Sequence, residues 1–137
     1  AGLFSTARDL AIYADAMSHA GRRDEVVILD EPTWREMIRP REWNGQKRGL
    51  GWDEQSGFSS NRGQNFGPRS FGHGGFTGTS FWIDPDRDLF VVFLSNRLHP
   101  DGKGAVNSLA GAIGTLAAEA VDAARPAPPR LPGDSLD

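Results

Sequence analysis

Apolar residues recur at helical spacing in three segments of the chain. In the first segment, an apolar stripe ending at Met17 follows Ser5 and Thr6, either of which can cap a helix start. A second, shorter helix is predicted to begin at Asp30, with a proline in its first turn, and to stop at Pro40. The first forty residues are therefore predicted to be largely helical.

The third segment predicts a long helix over residues 105–124. Gly111 and Gly114 lie inside it, and each costs about 1 kcal/mol relative to alanine in a free helix. We therefore expect both glycines to mark a close approach to a neighbouring element. The larger apolar residues form one stripe, which we expect to face a sheet: Val106, Leu109, Ile113, Leu116, Ala117 and Val121.

Three strands are predicted between the second and third helices. They cover residues 70–75, 79–83 and 89–94, and a turn at Asp84-Pro85-Asp86 joins the last two as a hairpin. Residues 41–69 are interrupted by glycine, asparagine and serine, and they predict a long irregular region in which Leu50-Gly51-Trp52 could form a brief strand.

These elements predict an α+β fold with three layers, α/β/α, in which helices pack on an antiparallel sheet. Three strands and one long helix hide one face of a sheet only, so the fold looks incomplete. Residues 1–124 would form the folded unit, and residues 125–137, with four prolines, would be a linker or disordered tail. Because the chain begins at Ala1 without an initiator methionine, we expect further residues upstream.

Composition excludes several classes of function. The net charge is -3, and the 15 basic residues are scattered, so nucleic acid is not a predicted partner. No apolar run reaches the roughly 20 residues that span a bilayer. With no cysteine, disulfides and thiolate metal sites are excluded, and the compartment cannot be read from the sequence.

The densest glycine cluster is Gly72-His73-Gly74-Gly75-Phe76-Thr77-Gly78-Thr79, at the point where one strand ends and the next begins. Its spacing alone fits a tight turn with a bulge, and it equally fits a strand that a ligand approaches closely. It does not fit a phosphate-binding loop, because the G-x-x-x-x-G-K-[ST] pattern is absent and a strand follows.

Longer stretches carry a resemblance. The segments AGLFSTARDLAIYADAM, GLGWD and SFGHGGFTGTSFWIDPDRDLFVVFLSNRLHP resemble, in this order, the C-terminal portion of the serine β-lactamase-related hydrolases and penicillin-binding proteins. That group includes class C β-lactamases, DD-peptidases and carboxylesterases. Its motif set is S-x-x-K, a polar motif such as Y-x-N, and K-T-G on a strand. His73-Gly74-Gly75 stands where K-T-G would be.

The resemblance implies roles for four residues. His73 would supply a donor facing the site, and Gly74 and Gly75 would form the strand along which an acyl substrate lies. The backbone N–H of Phe76 would form half of an oxyanion hole, together with the N–H of the nucleophilic serine. Gly74 lacks the threonine hydroxyl that can bind a substrate carboxylate, which favours an esterase or peptidase over a penicillin-type ligand.

The nucleophile segment is absent from the chain. Neither Lys47 nor Lys103 has a serine three places earlier, and Tyr13 does not begin a Y-x-N motif. The leading hypothesis is therefore a fragment of a serine hydrolase that acts through an acyl-enzyme on ester, amide or β-lactam carbonyls and is inactive alone. Its partners would be a small or peptidoglycan-type acyl substrate and the missing N-terminal part of the domain.

The alternative is a binding or interaction module that kept the fold and lost the chemistry. The three histidines lack metal-ligand spacing, so neither a metal nor another cofactor is predicted. Arg62 and Arg69, in the loop before the glycine cluster, are weak candidates for meeting an anionic substrate.

Overall fold

The computed structural model describes residues 2–125 as a six-stranded antiparallel sheet with helices on both faces. Consecutive strands are neighbours throughout this sheet, and a separate two-stranded ribbon follows the first helix. The elements in chain order are α1 (Ala7–Ser18), β1 (Arg22–Arg23), β2 (Val26–Val27), α2 (Glu31–Ile38), β3 (Arg41–Trp43), β4 (Gln46–Arg48), β5 (Asp53–Gln55), a 3₁₀-helix (Ser59–Asn61), β6 (Phe71–Gly74), β7 (Ser80–Asp84), β8 (Leu89–Phe93) and α3 (Asn107–Ala124).

Side-chain caps start the first two helices where the sequence predicts them. The Thr6 hydroxyl accepts a hydrogen bond from the Asp9 N–H at 3.1 Å, which satisfies one donor of the first turn of α1. The Asp30 carboxylate accepts from the Thr33 N–H at 2.7 Å, and a proline occupies the first turn of α2. Both predicted helix starts are confirmed.

The sheet is larger than the sequence predicts. Strands β6, β7 and β8 confirm the three predicted strands, and the hairpin between β7 and β8 is also confirmed. The prediction of an irregular region over residues 41–69 is wrong in part, because β3, β4 and β5 lie within it. A two-residue turn joins β3 to β4 at Asn44 and Gly45, both with positive φ (49° and 71°). These two residue types tolerate that conformation and favour a tight hairpin.

One face of the sheet packs against α1 and α2. Phe71 and Ile83 are opposite each other on β6 and β7, and both are fully buried among residues of the two helices. The indole of Trp34 on α2 donates a hydrogen bond to the Met17 carbonyl at the end of α1, at 2.9 Å. This bond ties the two helices together beneath the sheet. Trp52 completes the cluster, with its ring centroid 5.0 Å from that of Phe71.

The other face carries the 3₁₀-helix and α3. The packing of α3 differs from the prediction, because Leu109, Ile113 and Leu116 are exposed, Leu116 by 64%. The helix instead contacts the protein through small residues: Ala110, Gly111, Gly114 and Ala118. A β-carbon on Gly111 would approach the Ser60 carbonyl oxygen to 2.7 Å, so the helix backbone lies directly on the 3₁₀-helix. The expected close approach at both glycines is confirmed.

These layers confirm the predicted α+β fold of an antiparallel sheet packed by helices. Within residues 2–125, no helix is both long enough and apolar enough to cross a membrane. The predicted linker or tail falls almost entirely on residues 126–137, which lie outside the described residues.

Candidate functional site

A cavity of about 620 Å³ lies beside the end of β6. Its walls come from β4, β6, the turn after β6, the 3₁₀-helix with its preceding residues, the segment between β8 and α3, and the start of α3. The four residues that the resemblance singles out all line it: His73 and Gly74 lie at the end of the strand, and Gly75 and Phe76 lie in the turn. The four residues of the predicted third motif therefore line one cavity.

The ring of His73 is held at both nitrogens. Nδ1 lies 2.7 Å from the Gly74 carbonyl oxygen, and Nε2 lies 2.8 Å from an Arg48 guanidinium nitrogen. A carbonyl can only accept and a guanidinium can only donate, so this arrangement requires a neutral imidazole with its proton on Nδ1. The role of His73 as a donor toward substrate stays a prediction, since both nitrogens are engaged within the chain in this arrangement.

Gly74 is a glycine because Asn61 occupies the space beside it. A β-carbon at residue 74 would overlap Nδ2 of Asn61. Asn61 is 4% exposed, and its Oδ1 accepts a hydrogen bond from the Trp82 indole N–H at 2.9 Å. The Trp82 indole thus holds the Asn61 amide in place. A threonine at residue 74 would have to displace this amide.

A tight turn follows the strand. The Gly75 N–H donates to the Thr79 carbonyl at 2.6 Å, and the Gly78 N–H donates to the Gly75 carbonyl at 3.0 Å. Gly78 has φ of 102°, a conformation that side chains disfavour. A β-carbon on Gly75 would overlap the Thr79 hydroxyl, so a glycine is needed here for packing. The turn places Phe76 at the mouth of the cavity.

Phe76 is 78% exposed, and its backbone carbonyl accepts a hydrogen bond from a side chain. Arg97 donates from Nε to the Phe76 carbonyl at 2.6 Å, and its guanidinium carbon lies 4.6 Å from the centre of the Phe76 ring. None of the hydrogen bonds among residues 2–125 uses the Phe76 N–H as a donor. That N–H therefore has no acceptor within the part of the chain that the structure describes.

A sequence model of one family, Beta-lactamase, matches residues 1–115. The chain belongs to the β-lactamase family. Similar curated proteins come from Salmonella paratyphi B, Salmonella newport and Salmonella dublin, each named "Putative D-alanyl-D-alanine carboxypeptidase". Each is 34% identical over 101 residues, which are 72% of this chain and 23% of the relative. The chain therefore spans under a quarter of the length of these relatives.

The cavity wall also includes residues that the sequence analysis did not single out. Arg48, Arg97 and Asn61 line the cavity with the motif. The turn type at Asn44-Gly45 could have revealed β3 and β4, and hence that Arg48 stands on a strand of the same sheet as His73. No sequence pattern indicated Arg97 or Asn61, because the packing of loops brings these two residues to the site.

The two arginines predicted as weak candidates lie elsewhere. Arg69 forms an ion pair with Asp86, whose carboxyl pKa is lowered chiefly by that hydrogen bond. Arg62, the residue that follows the 3₁₀-helix, donates to the Glu54 carbonyl at 2.5 Å and lies over the Trp82 ring. Neither lines the cavity, so this part of the prediction is wrong.

Within the described part of the chain, no three side chains of metal-ligating type come close enough to hold a metal ion. The Ser70 hydroxyl lies 3.5 Å from an Arg62 nitrogen and is buried, whereas His73 faces the cavity. These two residues do not form a nucleophile–base pair.

Proposed function

We propose that this chain is the C-terminal portion of a serine hydrolase domain that acts through an acyl-enzyme, with its nucleophile supplied by residues outside the chain. The observation that carries this proposal is the Phe76 N–H, which has no described acceptor and stands at the mouth of a cavity formed by the third-motif strand. Membership of the β-lactamase family supports the same reading.

In the proposed reaction, a serine hydroxyl attacks an ester, amide or β-lactam carbonyl and transfers its proton to a base outside this chain. The carbonyl oxygen gains negative charge, which the Phe76 N–H stabilises by a hydrogen bond. One such donor is typically worth about 3 kcal/mol in the transition state. The leaving group departs with a proton, and water then hydrolyses the acyl-serine.

The strand edge offers a place for the acyl chain. Pairing of β5 with β6 is confined to Asp53 and Gly72, so His73, Gly74 and Gly75 run beyond the end of β5. An unpaired strand edge presents N–H and C=O groups to which an extended ligand can add as a further strand. Gly74 and Gly75 lack side chains that would keep such a ligand away.

The substrate class follows from the relatives only in outline. Their name points to peptides ending in D-alanine, and we extend to this chain a carbonyl substrate of the peptidoglycan or small-ester type. A second candidate is a binding module without catalysis. The engagement of both His73 nitrogens favours it, because a ring held in this way has no proton to deliver to a substrate.

The first experiment is to determine the reading frame upstream of the codon for Ala1. An S-x-x-K motif followed by Y-x-N would support the hydrolase, and a reading frame that lacks both motifs would exclude it. Replacing His73 with alanine in the protein that carries these motifs then tests whether His73 takes part in catalysis. Loss of ester turnover assigns His73 to the mechanism, and unchanged turnover removes it.

A further inference from the structure

The turn that carries Phe76 is held by the segment that follows β8. Three successive carbonyls of the turn accept hydrogen bonds from two residues of that segment. The Phe76 carbonyl accepts from Arg97 Nε at 2.6 Å, and the Thr77 carbonyl accepts from the Arg97 backbone N–H at 2.9 Å. The Gly78 carbonyl accepts from the Ser95 hydroxyl at 2.6 Å. Each of these three peptide groups is therefore held in place.

The same segment packs directly against the turn. Gly78 has φ of 102°, and a β-carbon there would approach Ser95 Oγ to 2.6 Å and the Arg97 β-carbon to 3.1 Å. The guanidinium carbon of Arg97 lies 4.6 Å from the centre of the Phe76 ring, close enough for the ring face to attract the cation. The side chain of Arg97 thus binds both the backbone and the ring of Phe76.

Arg97 is itself anchored by Gly104. Its Nη1 donates to the Gly104 carbonyl at 3.3 Å, and its own carbonyl accepts from the Gly104 N–H at 3.2 Å. A β-carbon on Gly104 would approach the Arg97 carbonyl oxygen to 2.5 Å, so the two backbones lie in contact. Gly104 lines the cavity together with Phe76 and Arg97. Arg97 therefore connects the turn to a second part of the same cavity wall.

The hydrogen bonds of the turn determine the direction of the Phe76 N–H. This N–H belongs to the peptide group that joins Gly75 to Phe76, and the carbonyl of that group accepts from the Gly78 N–H at 3.0 Å. A trans peptide group is planar, and its N–H and C=O point in opposite directions. The Phe76 N–H therefore points away from Gly78. Because Arg97 holds the next peptide group, the two bonds together restrict both backbone dihedral angles of Phe76.

We propose that Arg97 is a positioning residue, which fixes the Phe76 N–H as a preorganised oxyanion donor. This inference rests on the proposed function, since it concerns the N–H that stabilises the oxyanion there. Such a donor is effective because its direction is set before charge develops on the substrate oxygen, so the reaction requires no reorganisation. Arg97 acts through the Phe76 peptide group and needs no contact with the substrate.

The first test needs no turnover and uses the full chain. NMR relaxation gives the order parameter of the Phe76 N–H, which is about 0.85 for a rigid backbone and below about 0.6 for a flexible one. We expect a rigid Phe76 N–H in the unmodified chain and a flexible one in R97M, whose side chain has neither donor nor charge. The matched control R35M removes a guanidinium that is paired with Glu31 on α2, and it should leave the Phe76 N–H rigid.

A flexible Phe76 N–H in the unmodified chain, or a rigid one in R97M, would overturn the proposal. If R97M does not fold, R97K takes its place. Lysine keeps the charge but lacks the planar fork that lets Arg97 reach the Phe76 and Gly104 carbonyls at once. The order parameter in R97K should therefore lie between the rigid and flexible values, and an unchanged value would contradict the proposal.

The second test measures acylation by a p-nitrophenyl ester in the protein that carries the S-x-x-K motif. R97M should lower kcat by about tenfold to a hundredfold and leave KM nearly unchanged, because the oxyanion exists in the transition state and not in the bound substrate. R97K should recover part of this loss. Since the rate is expressed per acylated site, a loss of stability alone would leave kcat unchanged, and that result would count against Arg97.

The two tests separate this inference from the hydrolase proposal. A Phe76 N–H that becomes flexible in R97M, in a protein that never becomes acylated, would refute the hydrolase and leave the orienting role of Arg97 intact. A protein that forms an acyl-enzyme equally fast with and without Arg97 would refute the role of Arg97 alone.

Discussion

The side-chain amide of Asn61 lies against the backbone of Gly74, in the place that a β-carbon at residue 74 would take. The same amide accepts a hydrogen bond from the buried Trp82 indole. One polar side chain thus dictates the residue type in the middle of the third motif and shapes the cavity wall. The glycine at this point follows from packing within the chain.

Replacing Gly74 with alanine should destabilise the chain by about 1–3 kcal/mol, because the added methyl group must displace Asn61. The double variant G74A/N61A removes the amide that causes the clash. Its loss should therefore be smaller than the sum of the two single losses. Urea denaturation of the three variants measures these free energies of unfolding, and strictly additive losses would show that the two residues are independent.

Gly114 should resist replacement by alanine although it lies inside α3. Alanine favours a helix by about 1 kcal/mol over glycine, but its methyl group would collide with the Arg62 carbonyl. We expect G114A to lower the free energy of unfolding by about 1–3 kcal/mol. The matched control is A112G at an exposed position of α3, which should cost only the helical preference of about 1 kcal/mol. A stabilised G114A would contradict this packing of the helix.

Burial of Glu54 should make the stability of the chain depend on pH. It is 6% exposed, one carboxylate oxygen has no partner among the described residues, and burial, with the charge of Asp53, raises its pKa from the ordinary 4.5. A raised pKa means that the folded chain binds this proton more tightly than the unfolded chain. Stability from this group is present below pH 4.5 and is lost as the pH rises through the folded pKa.

Replacement of Glu54 with glutamine removes this titration. The variant should therefore gain stability relative to the unmodified chain as the pH rises from about 4 to 7, since glutamine carries no charge to bury. Thermal melts across this range measure the difference. Melting temperatures that stay parallel at all pH values would show that the carboxyl of Glu54 does not cause the effect.

The sequence predicts the elements that have a regular apolar pattern or a capping residue at their start. Thr6 and Asp30 mark the starts of α1 and α2, and the apolar run of β8 marks a strand. The predicted orientation of α3 is wrong, because the prediction assumed that its large apolar residues face the sheet, and several of them are exposed. The helix instead presents Gly111 and Gly114, which permit a backbone contact that hydrophobicity alone does not reveal.

The candidate site is predictable only in part for the same physical reason. His73, Gly74, Gly75 and Phe76 are adjacent in sequence, so the motif finds them together. Arg48 and Asn61 reach the cavity through strand pairing and loop packing over separations of 25 and 13 residues from His73 and Gly74, a relation visible only in three dimensions. The arginines that line the site, Arg48 and Arg97, thus differ from Arg62 and Arg69, which were predicted from the loop before the motif.

The measurement that tests the central claim most directly compares two substitutions at Phe76 in the protein that carries the S-x-x-K motif. Phe76 is the second residue of the turn from Gly75 to Gly78, a position that suits proline, and proline has no N–H to donate. The rate of acylation by a p-nitrophenyl ester would be read for F76P and F76A. If the Phe76 N–H stabilises the oxyanion, F76P should acylate about 100 to 1000 times more slowly than F76A, which keeps the N–H. Equal rates in the two variants would contradict the claim.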